Sequence, residues 1–339
     1  PSELRHCPPF VVIARLDEQG SATLLEAMSL LETNLPITIL LLRSSVHESI
    51  AVGVDTVVPA ALSVEMLPIA MRGVHFAQTC TAVDGFAAQC FGALEAPRPS
   101  VLSVLTARDG EGAEAFEKRA ESAMRSRAFP IVSYDPDRAD RFVDCFDLTS
   151  NPAPDETWTT ETLRGSDPAG HAIELEEAFT FAHFASGEPE LESDYTDPAE
   201  DTDDLIPMAD YLDLDREQRA GKQAFIRRND ERGVVVRKVV SNAVTLQCAE
   251  RRNLWCTLRE VSGLDDPRAE AAQAALAQER NAQQQASAAQ LRAEMARLQR
   301  EHLGNVGERR PVEPGFEIGR GTGVVTFGEI GRVVDQRGE

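Results

Sequence analysis

Short, unbroken apolar runs alternate with helical-period stretches over the first 150 positions. Phe10-Val11-Val12-Ile13-Ala14 and Ile37-Thr38-Ile39-Leu40-Leu41-Leu42 have the composition of strands covered on both faces, as in a parallel sheet. Between them Leu24, Leu25, Met28 and Leu31 recur at helical spacing after Ser21, a good N-cap residue, and Asn34-Leu35-Pro36 ends the helix. Strand, helix and strand within about thirty residues predict a βαβ unit with a right-handed crossover. The pattern repeats, with strands predicted at 54–58, 75–79, 100–106 and 129–134. Helices are predicted at 62–72 (kinked at Pro68), 83–92 and 113–126. The expected fold class is α/β: an open, mostly parallel sheet with flanking helices, followed by a small α+β module and a helical tail.

Past position 150 the periodicity weakens. Pro152, Pro154, Pro168, Pro189 and Pro198 interrupt any long element, and only 174–184 reads as a helix, through Leu175, Ala178, Phe179 and Ala182. Order returns at 205. A short helix or turn is predicted at 207–212, strands at 224–226 and 234–236 around the turn 229–233, and a helix over 242–261 stopped by Gly263. From 266 to 303 the chain is mostly Ala, Gln, Glu and Arg, which favours helix. Leu291, Met295 and Leu298 form a stripe there, but upstream it falls on Ala and Gln, so the coiled-coil heptad signal is weak. The expected organisation is therefore an α/β domain (1–150), an acidic connector (151–204), an α+β module (205–265), a long polar helix (266–303) and a flexible tail (304–339).

Charge sharpens this division. The net charge is -22, and 155–204 holds sixteen acids against one base, Arg164. Phosphate backbones and anionic headgroups both need clustered Lys and Arg, so neither a nucleic-acid nor a membrane partner is expected. The acidic stretch lacks an EF-hand pattern and reads as a solvated linker. No run approaches the length of a membrane span, and the six cysteines show no C-x-x-C spacing, which predicts reduced thiols in a cytoplasmic protein. No two of the six histidines stand at i, i+4, and no catalytic triad is evident. Gly319-Arg320-Gly321-Thr322-Gly323 has strand-like residues after it rather than a helix, so it reads as a turn and not a dinucleotide loop.

Open α/β sheets bind ligands in the loops at the carboxyl ends of their strands. Here those loops are 16–21, 43–48 and 107–112. Asp17 and Asp109 could ligate a magnesium ion bridging a diphosphate. Ser44, Ser45 and the amides of Gly110 and Gly112 could meet phosphate oxygens. The same residue types also end strands and cap helices without any ligand.

Ser126-Arg127-Ala128-Phe129-Pro130, then Tyr134-Asp135-Pro136, then Asn151-Pro152-Ala153-Pro154 resemble a passage of the pyruvate (2-oxoacid):ferredoxin/flavodoxin oxidoreductases, near the end of their C-terminal thiamine-diphosphate-binding domain. Segments 207–211 and 251–263 look like the C-terminal extension of large bacterial members, and the resemblance covers 1–265. It implies a thiamine-diphosphate-binding-like fold, with thiamine diphosphate and Mg²⁺ as cofactors. The implied reaction turns a 2-oxoacid and coenzyme A into an acyl-CoA and carbon dioxide, with electrons leaving through iron–sulfur clusters elsewhere in the enzyme to ferredoxin or flavodoxin. The implied partners are the other domains or subunits of that enzyme. Where the family has Gly-Asp-Gly and an Asn in a Thr-Gly-Gly loop, this chain has Arg15-Leu16-Asp17-Glu18 and Arg43-Ser44-Ser45-Val46, leaving Asp17 as the one metal-ligand-like residue. The expectation is a part of such an enzyme that lacks a complete site and is inactive alone. The alternative is a non-catalytic scaffold that assembles through its terminal helix.

Overall fold

The computed structural model describes residues 10–15, 26, 29–33, 35–46, 52–53, 56–57, 63–199 and 204–265, and further on 280, 287, 290–293, 295 and 297. The loop 16–21 with Asp17, most of the helix expected before residue 30, the turn 319–323 and the strand-like 324–327 lie outside the described residues. In chain order come β1 (Phe10–Arg15), β2 (Ile37–Arg43), the two-residue β3 (Val52–Gly53) and β4 (Thr56–Val57), α1 (Met66–Ala70), β5 (His75–Cys80) and α2 (Phe86–Glu95). Next are β6 (Ser100–Leu105), α3 (Ala113–Arg125), β7 (Val132–Tyr134) and β8 (Phe146–Asp147). Six strands form one mixed sheet in the order β1-β2-β6-β5-β7-β8. It is parallel from β1 to β5 and antiparallel from β5 to β8.

The register assigns each side chain to a face, because partners in neighbouring strands point the same way. Ile39, Leu41 and Arg43 share one face with Val101, Ser103 and Leu105 and with Phe76, Gln78 and Cys80. The opposite face carries Thr38, Leu40 and Leu42 with Leu102, Val104 and Ala77, and Phe86, Cys90 and Ala93 of α2 pack on it. β5 and β6 are buried at every position, as strands covered on both faces are.

The acidic stretch is built into the protein. β9 (Thr159–Ser166) and β10 (Ala172–Phe179) pair antiparallel along their full lengths, followed by α4 (Phe181–Ala185) and β11 (Tyr195–Thr196). The helix expected over 174–184 is thus corrected: it is strand up to Phe179 and helix only from Phe181. The apolar spacing fits a helix, but Ile173, Leu175 and Glu177 also alternate, and pairing with a Thr-rich neighbour makes the two-residue period win. Gly165 is where this hairpin meets the next one. A Cβ there would lie 2.7 Å from Asn229 Oδ1 and 2.8 Å from the Gly233 carbonyl, so any side chain would force the two apart.

β12 (Leu205–Pro207), α5 (Met208–Asp213), β13 (Gln223–Asn229), β14 (Val235–Val240) and α6 (Asn242–Val261) complete this part, with a second mixed sheet in the order β11-β14-β13-β12. The Ser241 side chain caps α6 by accepting from the Val244 amide. α6 runs across both halves of the interior. Val244 and Cys248 sit in a core with Phe116, Phe129, Phe181, Met208 and Ile226, and Trp255 and Leu258 sit in another with Ile39, Leu41, Phe76 and Tyr134.

Pro1–Pro267 makes one compact unit and Arg268–Glu339 a second. In the second, the described residues are helical, and Leu291 and Met295 are each 62% exposed. Among the described residues no helix is long and apolar enough to cross a membrane.

Candidate functional site

The carboxyl ends of β2, β5 and β6 lie at one edge of the sheet, where the sequence nominates Ser44, Ser45, Asp109 and Gly110. The loops after β2 and β6 are tied together there. The Thr106 amide donates to the Arg43 carbonyl (2.9 Å), and Arg119 of α3 donates to both the Ser44 carbonyl (3.3 Å) and the Thr106 carbonyl (2.9 Å). Ser44 and Ser45 are half-buried, and Asp109 and Gly110 are exposed at a turn whose positive φ at Gly110 (80°) suits glycine. Asp17, the nominated metal ligand, lies outside the described residues.

Beneath these loops the edge is filled by a buried network that the sequence did not nominate. Arg43 Nη1 donates to Glu65 Oε1 (3.1 Å) and Gln78 Oε1 (3.2 Å). Gln78 Nε2 donates to Glu65 Oε1 (3.2 Å) and to the Pro130 carbonyl (2.9 Å), while Ser103 donates to Gln78 Oε1 (3.1 Å). Arg251 of α6 reaches in from the far side, 3.9 Å from Glu65 Oε1, and donates to the Val46 carbonyl (2.8 Å). Burial alone would raise the Glu65 pKa. The charges of Arg43 and Arg251 and the Ser63 hydroxyl outweigh it and hold the carboxyl at about 2. Arg43 was visible as the single charge closing an otherwise apolar strand, and Gln78 as a polar residue inside another. Nothing local marks Arg251, which is 205 residues from its partner Val46.

Above the network, Glu111 accepts two bonds from Arg119 (2.7 Å each) and one from the Arg108 amide (2.9 Å). Its carboxyl is held below the ordinary range, chiefly by the Arg119 hydrogen bonds. Arg108 pairs with the buried Glu188, joining this loop to the segment after α4. A magnesium ion on a diphosphate needs oxygen ligands not already committed to cations. Here Glu65 and Glu111 are both taken by arginines, which leaves Asp109 as the nominated carboxylate among the described loop residues. No group of three or more His, Cys, Asp or Glu among the described residues could hold a metal ion. The described residues alone therefore do not fit a Mg²⁺–diphosphate site.

The stretch carrying the family resemblance has a structural task. Arg127 is fully buried with a left-handed backbone (φ 60°), and its guanidinium donates to the carbonyls of Pro152, Ala153, Glu156 and Thr157 at 2.7–3.3 Å. It lies over the Trp255 ring, 4.2 Å from the centroid, and the indole N–H donates to the same Glu156 carbonyl (2.8 Å). Burial, then Arg259 nearby, lower the Arg127 pKa to about 10, against the pull of Glu156 and Asp155. Asn151 accepts from the Ile131 amide (2.8 Å) and donates to the Ile131 and Leu148 carbonyls. Segments 126–131 and 148–157 are thus bound to each other and to α6.

His183 and Glu177 form a further, partly buried polar pair. The Thr180 amide donates to His183 Nδ1 (3.0 Å), so Nε2 carries the proton and faces Glu177 Oε1 (3.3 Å), which Arg227 also binds (2.9 Å). Thr180 is itself buried and closes the capping box of α4, so this chain of contacts holds a helix end rather than an accessible nucleophile. A scan of the sequence against models of protein families matches none, and a search of curated proteins finds no match.

Proposed function

We propose that the chain is the C-terminal part of a cytoplasmic 2-oxoacid (pyruvate-type):ferredoxin or flavodoxin oxidoreductase. It supports that enzyme's thiamine-diphosphate-dependent oxidative decarboxylation to acyl-CoA without supplying a complete site. The reading rests on the resemblance of 126–137 and 151–154. The observation that favours a supporting over a catalytic role is the carboxyl edge of the sheet, where Arg43, Glu65, Gln78 and Arg251 satisfy one another. A thiamine-diphosphate-binding-like fold with its loops closed in this way keeps the shape of such a domain and gives up the diphosphate grip. Its partners are the remaining domains or subunits of the oxidoreductase.

The chain, affinity-tagged in its own host and recovered without oxygen, is expected to bring with it 2-oxoacid- and coenzyme A-dependent reduction of a viologen dye. Recovery with no such activity overturns the proposal. Calorimetric titration of the purified chain with thiamine diphosphate and Mg²⁺ is expected to give no saturable heat. Stoichiometric binding would overturn the claim of an incomplete site. The second reading, a scaffold assembling through its terminal helix, is favoured by Leu291 and Met295, four residues apart on a helix and both exposed.

A further inference from the structure

The strand β1 has the sequence of an interior strand and the position of an edge. Among the described strands it pairs only with β2, and its outer side closes the sheet. Phe10, Val11 and Ile13 are 59%, 44% and 64% exposed. The register puts Phe10, Val12 and Ala14 on the face of Ile39 and Leu41, and Val11 and Ile13 on the face of Thr38 and Leu40. The exposed apolar surface therefore lies on both faces, beside an edge that pairs with no described strand. Natural edges are commonly blunted by proline, lysine, a bulge or brevity. The opposite edge, β8, is two residues long, whereas β1 has six and holds no proline or lysine.

We propose that β1 is the contact of a symmetric dimer, in which it pairs antiparallel with β1 of a second copy and the two six-stranded sheets become one. The occupant is argued from register and charge. A two-fold axis perpendicular to the sheet keeps each face continuous and can be centred on Val12. It then sets Val12 against its own copy, Val11 against Ile13, and the large Phe10 against the small Ala14. Every pair shares a face and every pair is apolar. Arg15 falls outside the ladder, and the two copies of it stand at opposite ends, ~20 Å apart, where salt screens their repulsion. No acid lies on the strand, although the chain carries a net charge of -22. The excess negative charge opposes association elsewhere, so added salt strengthens the dimer.

Sedimentation equilibrium of the full chain at tens of micromolar is expected to give twice the chain mass, with the dimer fraction rising with salt. Val11→Lys with Ile13→Lys, both at exposed positions, is expected to return the mass to that of a monomer with an unchanged circular dichroism spectrum. Val12→Cys is expected to give a disulfide-linked dimer under mild oxidation that the wild-type chain does not give. A wild-type chain that stays monomeric overturns the proposal and leaves the edge to a strand of another protein. A dimer that persists in the double lysine variant overturns it by placing the contact elsewhere. Failure of Val12→Cys to cross-link overturns the register.

Discussion

Glu65, the residue before α1, is fully buried, and two arginines converge on it. Replacing it with Gln leaves Arg43 and Arg251 buried without a counter-charge, and breaking such a pair from one side costs about 3–5 kcal/mol. Urea unfolding of Glu65→Gln is expected to show that loss at pH 7. The acid limb of stability carries the same signature. The folded-state pKa of Glu65 is about 2 against an ordinary 4.5, so between these values the unfolded chain binds the extra proton. The contribution is complete above pH 4.5 and is lost as pH falls towards 2, on the order of 3 kcal/mol in total. Below pH 4.5, wild type and Glu65→Gln should therefore converge. His75 acts in the same direction nearer neutrality: burial lowers its pKa from 6.5, so its contribution is present above 6.5 and lost as pH falls through the folded value.

Between elements, Gly165 gives the cleanest test. A methyl group there meets Asn229, Gly233 and Val235, two of them through rigid backbone or a branched side chain. Gly165→Ala is expected to cost roughly 1–3 kcal/mol and to speed amide exchange at Ser166, whose N–H donates to the Gly233 carbonyl, while leaving β5 and β6 protected. Where an element's own residues decide its structure, the sequence was readable. The helix expected over 242–261 forms with those bounds, because Ser241, a long helical period and Gly263 agree. β2, β5 and β6 begin at the expected residues and end one residue from the expected ends. The hairpin β9–β10 was hidden because its acids and prolines argue for a solvated linker, whereas pairing with β9 leaves Glu174 and Glu176 exposed on the outer face of a strand. The sequence nominated loops after β2 and β6, which the structure ties together through Arg119, and missed the charged groups buried beneath them. Those groups come from β2, the residue before α1, β5 and α6, and no local pattern joins Glu65 to Arg251.

At the scale of the whole molecule, the last unit is separable. Arg268–Glu339 forms its own compact unit, and truncation after Pro267 is expected to leave the thermal midpoint and cooperativity of the remainder unchanged. A lowered or broadened melt would show that the first unit needs the second. Within the first unit the reverse holds, because α6 touches both cores and supplies Arg251 and Trp255 to segments made long before it. That arrangement sets a schedule for synthesis. Ribosomes add ~5–20 residues per second, so Arg251 emerges roughly 10–40 s after Val46, the carbonyl it must bind, 205 residues earlier. From the completion of β8 until then, the nascent sheet lacks Trp255 and Leu258 on one face and Glu65 lacks its second cation, and a chaperone has its longest opportunity to act.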